Sequence, residues 1–156
     1  MVMKKFVWDT SALINIKEPN SDGYSPAHSF MKDFSDGWLK GPYLNIYPAI
    51  AVFELSASVA RKHREGKRML RDFYIMNENS MIYDVNKSLI DKSYDLAATK
   101  GFNLLRGADL IFACIAYLEN AFLITLDQDY QAIADQVKVI DLRDSINDPK
   151  YRRIFE

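Results

Sequence analysis

Short apolar runs of strand length alternate along this chain with longer segments whose apolar residues recur at helical spacing. The first run covers 4–8 and ends abruptly in Trp8-Asp9-Thr10-Ser11, after which a helix is expected from Ser11 to about Lys17. A turn-rich loop, Pro19-Asn20-Ser21-Asp22-Gly23, follows. Ser25-Pro26 has the form of a helix cap with proline at the first helical position. Ala27, Phe30, Met31, Phe34 and Trp38 then fall at helical spacing, which predicts a helix to about Leu39 with a core-facing aromatic side, weakened near its end by Gly37. Beyond Gly41-Pro42, Leu44 and Ile46 alternate in a second strand. Pro48 is expected to start a helix carrying Ile50, Val52, Phe53, Leu55, Val59 and Ala60. Gly66 marks a helix–helix junction, with Met69, Leu70 and Phe73 on the inner face of the next helix. A third strand is expected at 81–85, then a helix capped by Asn86, bearing Leu89, Ile90, Tyr94 and Ala97 and terminated by Gly101. Gly107-Ala108 opens a helix through Leu118. A fourth strand at 121–125, a short helix over about 129–135 and a fifth strand at 137–140 complete the pattern. Strands alternating with helices throughout predict an α/β fold, with a mainly parallel sheet covered on both faces.

At 156 residues, 49% apolar and 26% charged, the chain fits one soluble domain with a real core, and the composition argues against disorder. Residues 1–142 are expected to form that domain, and 143–156 a mixed-charge tail packed on it or at a dimer interface. No apolar run is long enough for a membrane span and the first residues enter a strand directly, so a cytoplasmic protein without a membrane partner is expected. Cys114, the single cysteine, lies in an apolar helical pattern and reads as a small core residue. The net charge of −1 hides an asymmetry: residues 61–71 hold six Lys or Arg and one acid. Acids dominate elsewhere.

Those acids carry the candidate chemistry. Asp9 directly follows the first strand, at the place where sites form in open α/β sheets, although Asp, Thr and Ser also suit an ordinary helix cap. Glu54 and Asp109 each sit within an apolar helical segment, Ala49 to Ala57 and Ala108 to Ala116, so both helices are expected to be buried against the sheet. A carboxylate buried there costs several kcal/mol unless a positive group offsets it. Neither core segment contains a lysine or arginine, although Arg106 flanks the second. A dipole role for Asp109 and a solvent-facing sliver for Glu54 are the blander alternatives. Asp127 follows the fourth strand. If the sheet reverses order next to the first strand, the four acids can meet at one rim, where mutual repulsion calls for a hard divalent cation. With two histidines and one cysteine in the chain, a zinc site of the usual kind is not expected. An oxygen-only site of this type activates water for phosphoryl chemistry. Arg61, Lys62, Arg64, Lys67, Arg68 and Arg71 would hold the polyanion that an acidic pocket repels, the alternative being a solvated helix face.

Taken in order, Asp9-Thr10-Ser11-Ala12-Leu13, Glu54-Leu55, Ala108-Asp109-Leu110-Ile111-Phe112-Ala113 and Leu123-Ile124-Thr125-Leu126-Asp127-Gln128-Asp129-Tyr130 resemble PIN-domain ribonucleases, most closely the stand-alone toxins of the VapC type. The resemblance runs over about residues 4–142. It implies a five-stranded parallel sheet in the order 3-2-1-4-5, endonuclease activity on RNA dependent on Mg²⁺ or Mn²⁺ (one or two ions), a homodimer, and a small antitoxin partner. Carried over by position, it makes Asp9, Glu54, Asp109 and Asp127 the catalytic acids, with Asp9, Asp109 and Asp127 on the metal. Ser11, Thr125 and Asp129 would support them. Two departures stand out: a long aromatic connection containing Tyr24, Phe30, Phe34 and Trp38, and Tyr130 where phenylalanine is common. Rival readings are a non-catalytic RNA- or protein-binding module, a housekeeping RNA-processing nuclease, and a phosphatase with Asp9 as nucleophile. The last lacks the usual aspartate two residues on, since Ser11 stands there.

Overall fold

The run Phe6-Val7-Trp8 is apolar on both sides of a strand, and a strand of that kind belongs in the middle of a sheet covered on both faces. β1 (Lys4–Trp8) occupies that place, with all three residues fully buried. The computed structural model describes residues 2–37, 39, 41–62 and 78–143. Around β1 stand β2 (Tyr43–Pro48), β3 (Ser80–Tyr83), β4 (Phe122–Thr125) and β5 (Lys138–Asp141), in the order β3-β2-β1-β4-β5 with every neighbouring pair parallel. The expected α/β class, five strands and strand order are all observed. Strand order reverses between β1 and β4, which opens a crevice at the carboxyl ends of those two strands.

The helices are α1 (Thr10–Lys17), α2 (Pro26–Ser35), α3 (Ala49–Lys62), α4 (Lys87–Ala97) and α5 (Gly107–Leu118), with 3-10 turns at Phe102–Leu104 and Gln128–Ile133. One side of β1 meets α2: Phe30 packs edge-on to Trp8 at 5.6 Å and to Phe6 at 6.3 Å, while Phe6 stacks on Phe122 at 5.3 Å. The indole of Trp8 donates to Asn45 Oδ1 at 3.0 Å, so the one polar atom of that ring is satisfied inside the core. Ser25 caps α2 as expected, its hydroxyl accepting from His28 N at 3.1 Å. Buried Asn15 ties α1 to the same turn by accepting from Ala27 N at 3.1 Å. At the far end of α5, Glu119 accepts from Lys5 Nζ at 2.6 Å and from the Tyr83 hydroxyl at 3.1 Å, joining that helix end to β1 and β3.

Several boundaries differ from expectation. The α2 helix stops at Ser35, not Leu39, because Gly37 takes a φ of +70°, which ends a right-handed helix. Pro48 is the last residue of β2, and α3 begins at Ala49. The segment expected as a helix over 129–135 is a 3-10 turn. On α4, Leu89 is buried but Ile90 and Tyr94 are exposed, so their spacing marked a helix without marking its inner face. The Gly66 junction, Met69, Leu70, Phe73, Trp38, the Phe34 side chain and residues beyond 143 lie outside the described residues.

Gly101 does not end α4, which closes at Ala98; it opens the following 3-10 turn with a φ of +91°. A Cβ built there would stand 2.3 Å from the Ala132 carbonyl oxygen, a backbone atom that cannot swing aside. Both the strained φ and the contact act against any side chain. Gly101→Ala is therefore expected to cost about 2 kcal/mol or more, read as a lower urea midpoint. An unchanged midpoint would mean the two 3-10 turns are not held together in solution.

Candidate active site

Asp9 resolves the choice between helix cap and site residue by being placed for both. It precedes α1 with extended φ and ψ (−79° and 169°), and its Oδ1 accepts from Ala12 N at 2.9 Å and from Ser11 Oγ at 2.7 Å. Its Oδ2 accepts from Thr125 Oγ1 at 2.6 Å, across to the end of β4. Register accounts for that contact: Trp8 pairs with Ile124, so the next position sets Asp9 beside Thr125. Each hydroxyl also accepts a backbone N–H. Leu126 N donates to Ser11 Oγ at 3.1 Å and Asp127 N to Thr125 Oγ1 at 2.8 Å. The two hydroxyls therefore link the end of β1 to the turn after β4. In that turn Asp127 caps the second 3-10 segment, accepting from Asp129 N at 2.9 Å.

Three hydrogen bonds normally hold a carboxyl below its ordinary range. Asp9 nevertheless rises from 3.8 to about 6, because burial outweighs the donors and the Asp109 charge adds to it. Asp109 stands in the first turn of α5, where the helix dipole favours a negative charge. Burial raises its pKa and the charges of Asp127 and Asp129 raise it further, while the Tyr130 hydroxyl, donating to Oδ1 at 3.2 Å, pulls it down. Burial and the Asp109 charge push Glu54 up as well. Asp109 is thus the centre of the group, within the field of Asp9, Glu54, Asp127 and Asp129. Among the described residues, no lysine or arginine makes a salt bridge with any of these acids.

Glu54 departs from the expected burial in an apolar helix. The buried positions of α3 are Ala51, Leu55, Ser58 and Val59, which leaves Glu54 half-buried at the side of that stripe and Phe53 73% exposed. The Thr10 hydroxyl draws Glu54 slightly downward, yet that approach falls short of a well-formed hydrogen bond, and Thr10 Oγ1 is buried without a partner. Of the basic stretch, Arg61 is exposed near the end of α3, seven residues and so roughly 10 Å along the helix from Glu54. Lys62 ends that helix; Arg64, Lys67, Arg68 and Arg71 lie outside the described residues.

The chain matches the PIN domain family over residues 6–136. It belongs to that family. Comparison with curated proteins finds no match. Among solved structures, this PIN domain superposes on VapBC-1 from nontypeable Haemophilus influenzae with a TM-score of 0.64 and 18% identity, covering 89% of this chain and 98% of the other. A toxin–antitoxin complex from Klebsiella pneumoniae gives 0.61 and 19%, covering 87% and 96%. VapBC2 from Rickettsia felis, bound to a DNA fragment of its promoter, gives 0.59 and 16%, covering 87% and 97%.

Two participants were given no site role from the sequence, where Tyr130 was noted only as a departure from phenylalanine. Tyr130 is fully buried and donates to Asp109. Thr10 stands beside Glu54. The signal for Tyr130 was available, since a buried phenol needs a hydrogen-bond partner. Burial and the Asp9 and Asp109 charges push its own pKa far up, so it remains a donor throughout the neutral range.

Asp9 binds its proton more tightly in the folded chain (about 6) than its ordinary 3.8 allows in the unfolded one, so without a cation stability falls as pH rises through that window. Above about pH 6 the full cost applies, on the order of 3 kcal/mol. Asp9→Asn removes the charge and weakens some of the bonds around it. Urea unfolding in chelator is expected to find the variant about 1 kcal/mol more stable than the parent near pH 7.5, with the advantage gone near pH 4. A variant equally destabilised at both values would show that the cap bonds outweigh the cost of burying the charge.

Proposed function

We propose that this PIN domain is an endoribonuclease dependent on Mg²⁺ or Mn²⁺, acting as the toxin of a toxin–antitoxin pair. The observation that carries the reading is the gathering of Asp9, Glu54, Asp127 and Asp129 around Asp109 with no salt-bridged cation among the described residues. Among those residues, no group of three acids, histidines or cysteines is drawn tightly enough to chelate an ion by itself. Mg²⁺ is commonly held by one or two carboxylates together with several waters and substrate phosphates. The donors are oxygen only, and the unsatisfied Thr10 hydroxyl lies within the same group. The residues present therefore fit a hard divalent ion.

Asp9, Asp109 and Asp127 are the residues to hold it. When bound, such an ion polarises a phosphoryl oxygen and makes water a stronger acid. The chain's own part is positional. Ser11 and Thr125 fix both oxygens of Asp9, and the Asp127 N–H fixes Thr125 in turn. Asp129 adds negative charge beside Asp109. Glu54, more open to solvent and raised in pKa, is placed to take a proton from an attacking water. Arg61, with Lys62, Arg64, Lys67, Arg68 and Arg71 following it in sequence, supplies the charge that draws RNA toward an acidic rim. The likeness to toxin–antitoxin complexes supports a small antitoxin as partner; a second copy of the chain is the other partner in this reading. Among the described residues no helix is long and apolar enough to cross a membrane.

Purified protein is expected to cleave a mixed-sequence RNA internally in Mg²⁺ or Mn²⁺ and to stop in chelator. Asp9→Asn and Asp109→Asn should each lower kcat by at least about 10³-fold while leaving the far-ultraviolet circular dichroism unchanged. Cleavage that survives chelator, or either variant cutting at the parent rate, would remove the nuclease assignment.

A further inference from the structure

Asp109 is the member of the acidic group that most needs orienting. It projects from a helix terminus whose capping residue, Arg106, makes no side-chain cap, and its neighbours are four other acids that repel it. Its carboxylate accepts a hydrogen bond from outside the helix, from Tyr130 in the middle of the second 3-10 turn. The Tyr130 ring is fully buried, and the turn is fixed from both sides. Asp127 caps its start, while the backbone of Ala132 presses against Gly101. The hydroxyl is therefore delivered by a turn fixed at both ends to one carboxylate oxygen, Oδ1, and makes no hydrogen bond to the other.

We propose that Tyr130 is a positioning residue for the divalent-cation site, setting the Asp109 carboxylate through its hydroxyl. The proposal rests on the metal-dependent reading above. A carboxylate held by one oxygen presents the second in a fixed direction, and groups that hydrogen-bond to metal ligands in this way commonly contribute 10–100-fold in affinity, as an order of magnitude. Phenylalanine at 130 would fill the same ring space and leave Asp109 free to turn away under repulsion from its neighbours.

The test is Mn²⁺ binding by calorimetry to the full chain without RNA, comparing the parent, Tyr130→Phe, Asp109→Asn and the double variant. Tyr130→Phe is expected to weaken Mn²⁺ about tenfold or more without changing the metal-free melting temperature by more than a few degrees. In the Asp109→Asn background the same change should have no further effect, because the group it orients is no longer a carboxylate. In RNA cleavage, Tyr130→Phe should lower kcat at limiting Mn²⁺, recover at saturating Mn²⁺ and leave KM for RNA unaltered. Parental Mn²⁺ affinity in Tyr130→Phe, or an equal loss in both backgrounds, overturns the positioning role. If Tyr130→Phe does not fold, 3-fluorotyrosine placed at position 130 alone keeps the hydroxyl and supplies a single fluorine resonance, followed as Mg²⁺ is added to the otherwise unchanged chain. A resonance that shifts as Mg²⁺ binds supports the role, and one that stays in place at saturating Mg²⁺ overturns it. A parent that binds no Mn²⁺ defeats the metal reading itself. A parent that binds Mn²⁺ but cuts no RNA defeats the nuclease reading and leaves the Tyr130 comparison standing.

Discussion

The burial of carboxylates beside one another at one edge of the sheet is the constraint around which this molecule is arranged. Asp9 shows its scale. Two hydroxyls and a backbone N–H all donate to it, yet its proton affinity still stands above that of a free aspartate. Desolvation and a neighbouring negative charge together exceed what three donors return. A fold that tolerates such a group has the acids in place before any ligand arrives, so a ligand of opposite charge gains their attraction without reorganising them.

The topology makes the crowding unavoidable. β1 and β4 are adjacent in space although more than a hundred residues separate them, and their parallel register sets Asp9 opposite Thr125. α5 brings Asp109 to the same rim, and the turn after β4 brings Asp127. α3 enters from the end of β2 with Glu54 less than two turns along. Each acid is a short distance from a strand end or a helix start. Their grouping therefore depends on the sheet, not on long loops.

Much of this was legible in the residues. The apolar run ending at Trp8 marked β1 as a strand, the alternation of strands with helices gave the fold class, and the strand order came with the family resemblance. Asp9 stood out because an apolar run stopped on it. Other features depend on which way a side chain turns, and composition carries little of that. Phe53 made α3 look buried all round, whereas it lies opposite the stripe of Ala51, Leu55, Ser58 and Val59, and Glu54 stands half-buried at the side of that stripe. Gly101 looked like a helix terminator and is required by a backbone approach from a segment thirty residues away. The Tyr130 hydroxyl was one oxygen on a ring whose burial alone could be read, and its partner lies 21 residues back on a different element.

The tie at Glu119 has a consequence for the angular setting of α5. A helix anchored by the residue that caps its end to both β1 and β3 resists spinning about its own axis, since such a roll would strain a charged hydrogen bond. Successive side chains on a helix are offset by about 100°, so the roll angle alone decides whether position 109 looks into the crevice or out of it. The buried face from Phe112 to Ala116 sets that angle, and the Lys5–Glu119 pair adds a clamp at the opposite terminus, roughly 15 Å away. A lysine near the beginning of the central strand thus helps hold the azimuth of an acid at the top of the sheet.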